Sequence, residues 1–224
     1  MATLLLGNRV PYEYFLTTGK GESDAGSKGL KYETGSYDQA LTEAGIENCN
    51  VVEYTSVIPT VSKEISKEEG LSRLQWGEVL ECIKAQTNGP KGSFIISAVM
   101  TTYVYDKHGK WLGGFAVEYS NSLPYHSNEE REKKATEISL SKSIKELIER
   151  RGLGTIDGDL HLFRDNVTDK GFTIHPGKDF IYNCLNVKKK HGSVFSAICF
   201  VSYHYPILKN KNKKKRETRK RGKK

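Results

Sequence analysis

No stretch of the 224-residue chain approaches the apolar length that a membrane-crossing helix needs, which excludes a transmembrane helix. The opening M-A-T-L-L-L-G-N-R-V has three leucines but neither a basic start nor a long apolar core, so no secretory signal is expected there. The four cysteines, Cys49, Cys82, Cys184 and Cys199, form no C-x-x-C pair and no short Cys/His spacing. The six histidines are scattered as well, so no zinc or other metal site is expected. There is no H-E-x-x-H, no nucleophile elbow and no Ser/His/Asp order, which removes the commonest hydrolase chemistries.

The composition is that of a folded chain. Hydrophobic residues make up 37% and charged residues 28%, with 21 Gly and 6 Pro, values that exclude collagen, a coiled coil and a wholly disordered chain. The length suits one domain of ordinary size, or at most two small ones, with a real core. The formal charge of +8 is unevenly placed. Residues 209–224 hold eleven Lys/Arg and one Glu, whereas residues 1–208 hold 24 basic and 26 acidic residues. The body, residues 1–208, is therefore nearly neutral. The tail has no apolar residue with which to pack and reads as a solvated, disordered extension. It serves either as contact with nucleic acid, anionic lipid or another polyanion, or only as a solubilising segment. Cys199, inside V-F-S-A-I-C-F-V, reads as core, and the cysteine pattern suits a reducing cytoplasm.

Residues 10–18 are aromatic and β-branched and read as a strand. The polar, glycine-rich stretch 19–29 reads as a loop, because it lacks the glycine spacing of either common phosphate-binding loop. Ser36 is placed to cap a short helix, with Gln39 as its capping-box partner and Gly45 as its stop. Residues 50–58 read as one strand closed by Pro59. Strands are expected over 78–85, 93–105 and 111–119, the last two joined as a hairpin through D-K-H-G-K. The clearest helix is 127–151, with acidic residues in its first turn and Arg150 and Arg151 in its last. A strong strand follows at 193–203. The sum is an α+β chain with an antiparallel-looking sheet and a few packed helices.

Four segments carry a likeness beyond composition. They are F-L-T-T-G-K-G-E-S-D (15–24), Y-D-Q-A-L-T-E-A-G-I-E-N-C-N (37–50), Y-T-S-V-I-P (54–59) and G-G-F-A-V-E-Y (113–119). In this order and approximate spacing, over the first 120 residues, they resemble the pyruvoyl-dependent arginine decarboxylases. The resemblance implies a four-layer αββα sandwich, assembled as an (αβ)3 trimer or a dimer of trimers with active sites between neighbouring copies. It implies one domain over 1–208 that cuts itself into 1–55 and 56–224. The product would be a cytoplasmic carboxy-lyase that converts L-arginine to agmatine and CO2, for polyamine synthesis or acid resistance. Another basic amino acid as substrate, or a non-enzyme binding polyanions through its tail, are the competing readings.

The resemblance also assigns residues. Ser56 is the precursor of the pyruvoyl group, and its hydroxyl attacks the carbonyl of Thr55. The ester so formed undergoes β-elimination, and hydrolytic loss of ammonia leaves the pyruvoyl group at the new N-terminus. No metal or diffusible cofactor is implied. Asn50 is the donor to the oxyanion formed in that attack. Glu118 is the acid that returns a proton to the substrate carbon. Asp38 takes the substrate guanidinium in two parallel hydrogen bonds. Leu41 walls the pocket, and Gly45 and Glu47 line it. Three features depart from the family pattern: Thr55 stands where Ser is often found, a polar insertion follows Pro59, and the basic tail 209–224 lies outside the likeness. Taken without the resemblance, each assignment has an ordinary alternative: a strand residue for Ser56 and Glu118, a helix-start carboxylate for Asp38.

Overall fold

The computed structural model describes residues 6–25, 34–124 and 127–208, so the basic tail and part of the glycine-rich stretch lie outside the described residues. In chain order the elements are β1 (Val10–Pro11), β2 (Glu13–Ser23), α1 (Thr34–Ala44), β3 (Asn50–Glu53), β4 (Val57–Ile58), β5 (Lys63–Glu64) and α2 (Lys67–Ser72). There follow β6 (Val79–Pro90), β7 (Ser93–Tyr105), β8 (Trp111–Pro124), α3 (Glu129–Arg150), β9 (Asn166–Val167), β10 (Thr173–Asn186), β11 (His191–Phe200) and β12 (Tyr203–His204). The chain is mixed α+β and mostly sheet. Among the described residues no helix is long and apolar enough to cross a membrane.

Two five-stranded sheets carry the fold, in the orders β3-β6-β11-β2-β5 and β4-β8-β7-β10-β9. The pairings are antiparallel except β2 with β5 and β3 with β6. The central strands bury both faces, which is why they read as unbroken apolar runs. On β11, Phe195, Ala197 and Cys199 join the core beneath α1, while Ile198 and Phe200 point the other way. On β7, Ala98 and Met100 face α3, while Val99 meets Tyr14, Ile83, Ala116, Ile198 and Phe200 between the sheets. Each such large side chain contributes about 1.5–3 kcal/mol when fully buried. The polar crossings between the sheets are paired: the Ser97 and Ser196 hydroxyls lie 2.9 Å apart, and those of Tyr14 and Tyr103 lie 2.6 Å apart.

The helix and turn chemistry matches the sequence at several points. Asn128 caps α3, its Oδ1 accepting from the Arg131 amide at 3.0 Å. Asp106 and Gly109 close the β7–β8 hairpin, Gly109 at φ +77°. Gly45, at φ +83°, ends α1, with its amide donating to Thr42 and the Ile46 amide to Leu41.

Three expectations change. The 19–29 stretch is not loop throughout: β2 runs on to Ser23, because β11 pairs with it residue by residue from Tyr14 to Ser23. Glycine there is a packing requirement, since a Cβ on Gly19 would lie 1.9 Å from the Ala40 carbonyl oxygen of α1. Ser36 is not a cap. It lies inside α1, buried, with its hydroxyl 3.0 Å from that of Ser193. The single strand expected over 50–58 is two strands, β3 at the edge of one sheet and β4 at the edge of the other. Gly19→Ala should therefore force α1 off β2 and cost about 1–3 kcal/mol, read as a lowered urea midpoint. An unchanged midpoint would mean that the contact is loose.

Candidate active site

The site is built where the chain leaves one sheet for the other. The Tyr54 amide still follows β3, donating to the Cys82 carbonyl at 2.8 Å. Two residues later the chain belongs to the second sheet: the Ser56 carbonyl accepts from the Ala116 amide at 2.9 Å, and Val57 and Ile58 pair with Phe115 and Gly114 of β8. Gly113 lets the strands approach, since a Cβ there would lie 3.1 Å from the Ile58 carbonyl oxygen. The Thr55–Ser56 peptide thus hangs between two fixed ends.

Within that crossing the chain turns on Ser56. The Val57 amide donates to the Thr55 carbonyl at 3.0 Å, closing a three-residue turn. This polarises the carbonyl that the expected attack would strike. The Ser56 hydroxyl donates to Glu118 Oε1 at 3.4 Å, a long contact between residues 62 apart in sequence. Val57 pairs with Phe115, so Phe115 and the residues two and four further on face α3, and Glu118 takes the opposite face with Ala116.

Glu118 keeps an open surface on the single chain. Even so, the protein around it takes away enough water to raise its carboxyl above the ordinary glutamate range, and the Glu53 charge adds to this. The hydrogen bond from Ser56 acts in the opposite direction, because it favours the ionised form.

The other expected residues lie elsewhere. The Asn50 amide Nδ2 donates to the Gly77 carbonyl at 2.8 Å, and no hydrogen bond joins it to Thr55 among the described residues. Asp38 is exposed on α1, its carbonyl accepting from the Thr42 hydroxyl at 2.9 Å. Leu41 is 8% exposed and packs with Phe15, Ala44 and Leu80 in the core beneath α1. Gly45 and Glu47 are exposed just beyond that helix. One participant was missed from sequence: the Val57 backbone amide on the Thr55 carbonyl. No side-chain pattern could have revealed it.

A serine at the centre of a tight turn, its hydroxyl on a carboxyl with a raised pKa, invites comparison with known proteins. The family model for pyruvoyl-dependent arginine decarboxylase matches residues 13–205. The chain belongs to that family. It is therefore a pyruvoyl-dependent carboxy-lyase, whose cofactor is a pyruvoyl group made from a serine. The pyruvoyl-dependent arginine decarboxylase AaxB of Chlamydia caviae is 29% identical over 202 residues, which is 88% of this chain and 94% of the relative. AaxB of Chlamydia abortus is 30% identical over the same shares. Pyruvoyl-dependent arginine decarboxylase 2 of Archaeoglobus fulgidus is 30% identical over 132 residues, 58% of this chain and 77% of the relative.

The raised carboxyl can be measured directly. The folded chain holds the Glu118 proton to higher pH than the unfolded chain does. Folding stability is therefore lost as pH rises from the ordinary glutamate range through the raised folded value. The side-chain carboxyl of Glu118, followed by its carbon chemical shift, should titrate above a normal glutamate. A midpoint at or below the normal range would show that loss of water does not dominate at this carboxyl.

Proposed function

We propose that the chain cuts itself between Thr55 and Ser56 and then decarboxylates L-arginine to agmatine and CO2. The observation that carries this reading is the turn on Ser56, with the Thr55 carbonyl bonded by the Val57 amide and the Ser56 hydroxyl directed at Glu118.

Maturation needs three things of the chain. The Ser56 oxygen must reach the Thr55 carbonyl carbon, the Ser56 proton must leave, and the oxyanion must be bonded. The Glu118 carboxylate takes the proton, and the Val57 amide already lies on the carbonyl oxygen. Asn50 is the second donor, once its amide leaves Gly77. The ester then eliminates, freeing Thr55 as a carboxylate, and water replaces ammonia at the former serine. The products are residues 1–55 and 56–224 of one domain spanning 1–208.

The pyruvoyl group supplies a ketone that draws the electron pair of the breaking C–CO2 bond. The protein's own residues do the rest. Glu118, beside that position, delivers a proton to the carbon that has lost CO2, and its raised pKa keeps it protonated further toward neutral pH. Asp38 meets the guanidinium with two oxygens, a geometry that an ammonium does not match.

Asp38 rides on the helix covering β2 and β11, whereas Ser56 sits at the edge of the other sheet. An active site shared between copies, in a trimer or a dimer of trimers, reconciles these placements. The layering proposed with it is αββα, supported by α1 on one sheet and α3 against β8 in the other.

Ser56→Ala should leave one whole, inactive chain by intact mass. Division at the same bond in that variant would assign the cut to a protease. Glu118→Gln removes both the proton acceptor of maturation and the acid of turnover, so it should slow cleavage, and turnover is read per cleaved chain. Chains that do cleave should decarboxylate arginine roughly 10²–10⁴-fold more slowly, the usual contribution of a positioned acid. Wild-type turnover per cleaved chain would move the proton to another donor. Asp38→Asn should cut arginine turnover by on the order of 2–5 kcal/mol in kcat/KM while cleavage continues. Unchanged kinetics would leave Asp38 a helix residue only.

A further inference from the structure

Strand β8 carries one residue more than β7 where the two begin to pair. Tyr105 pairs with Trp111 and Val104 with Gly113, which leaves Leu112 unpaired as a β-bulge. The bulge decides which face the rest of the strand presents. Trp111 lies on the face of Tyr103, their rings meeting edge-on at 6.0 Å, and the Tyr103 hydroxyl reaches that of Tyr14 between the sheets. Ala116 is on that same face, and Glu118 follows it. In a regular strand, residues an odd number apart point to opposite faces, so Trp111 and Glu118 would be opposed. The extra residue at Leu112 brings them to one side. With Trp111 held against Tyr103 and no bulge, Glu118 would turn toward α3 and away from Ser56.

Two features hold the bulge. The Trp111 indole Nε1 donates to the Gly113 carbonyl at 2.9 Å, spanning the extra residue. Gly113 sits at φ +122°, a conformation that other residues rarely adopt. The Leu112 side chain is 41% exposed, so the core does not fix it. Strand β4 docks immediately beyond, with Ile58 on Gly114 and Val57 on Phe115.

We infer that Trp111 is a positioning residue for Glu118, acting through the bulge that its indole N–H closes. The inference rests on the proposed roles of Glu118 in self-cleavage and in turnover. A bulge beside a reactive group re-aims the side chains that follow it. Here it sets both the face of Glu118 and the stretch of β8 on which the strand after Ser56 docks. The Ser56 hydroxyl meets Glu118 at 3.4 Å, near the limit of a hydrogen bond, so a small loosening of the strand breaks the contact. Among the described residues no hydrogen bond joins Trp111 to Ser56 or Glu118, and its influence passes along the backbone of β8.

The test follows cleavage during cell-free synthesis of the full chain, by intact mass against time, and then arginine turnover per cleaved chain. Trp111→Phe keeps a ring against Tyr103 and removes the indole N–H. Benzothienylalanine incorporated at position 111 removes the same N–H at unchanged shape, with sulfur in its place, and so preserves the packing. In both, cleavage and kcat should fall about threefold to tenfold, the loss that one net hydrogen bond corresponds to, with KM for arginine unchanged. Leu112→Ala trims the exposed side chain but keeps the extra residue and the indole bond, so it should cleave and turn over at wild-type rates. Wild-type rates in both position-111 variants would overturn the inference. A raised KM with unchanged kcat would overturn it too, by placing Trp111 in substrate binding. Equal slowing in Leu112→Ala would reduce the effect to general stability and overturn it likewise. A wild-type chain that stays whole would overturn the self-cleavage reading, and this inference with it.

Discussion

The constraint on which the site depends is the crossing from one sheet edge to the other. Stacked sheets lie about 10 Å apart, and an extended residue advances about 3.3 Å. The chain leaves β3 at Glu53 and enters β4 at Val57, so Tyr54, Thr55 and Ser56 make the whole crossing. Three residues leave little length to spare, and the turn on Ser56 takes up what remains. Each flanking strand is edge-on to its sheet, so one side of the crossing is anchored by ladder hydrogen bonds and the other is open. A peptide held at both ends and open on one side is unlike an ordinary loop, which floats, and unlike a core strand, which is sealed. It can be ordered enough to react and exposed enough to meet another chain.

Much of the scaffold was legible from local chemistry. The β7–β8 hairpin follows from a glycine-bearing five-residue turn between two apolar runs, and α3 follows from its cap, its charge order and Gly152 beyond it. What escaped notice depends on tertiary contact. Gly19 and Gly21 read as loop because glycine is the commonest loop signal. They are strand residues because α1 lies so close that nothing larger fits. Ser36 carried the signature of a helix cap, but its hydroxyl serves Ser193 of a strand far away in sequence.

The site divides in the same way. The approach of Ser56 to Glu118 depends on the register of β4 on β8, and no local pattern contains it; only the family likeness of both segments brought the two residues into one reading. Residues 50–58 are β-branched and polar throughout, so nothing in their pattern marks the break between sheets. The break is set by which neighbours are available: β6 beside Asn50 and β8 beside Val57. Asp38 and Leu41 were both expected at the substrate pocket. The structure gives Asp38 to solvent and Leu41 to the core. Both positions lie on one helix, but only Asp38 is free to meet a ligand from outside this chain.

The electrostatics of Glu118 connect the two halves of the proposed chemistry. The two largest influences at its carboxyl oppose each other: loss of water favours the protonated form, and the Ser56 hydroxyl, donating to Oε1, favours the ionised form. While Ser56 is intact, the hydroxyl that must lose a proton is bonded to the carboxylate that can take it. On the proposed reading, maturation consumes that hydroxyl. The larger of the influences that lower the pKa then disappears, while desolvation and the Glu53 charge, which raise it, persist. On the proposed reading, the cut that creates the cofactor thereby converts its neighbour from a proton acceptor into a better proton holder, without any movement of the strand. On that reading one carboxyl serves as base for maturation and acid for turnover, because the side chain that donates to it is also the reactant of the first step.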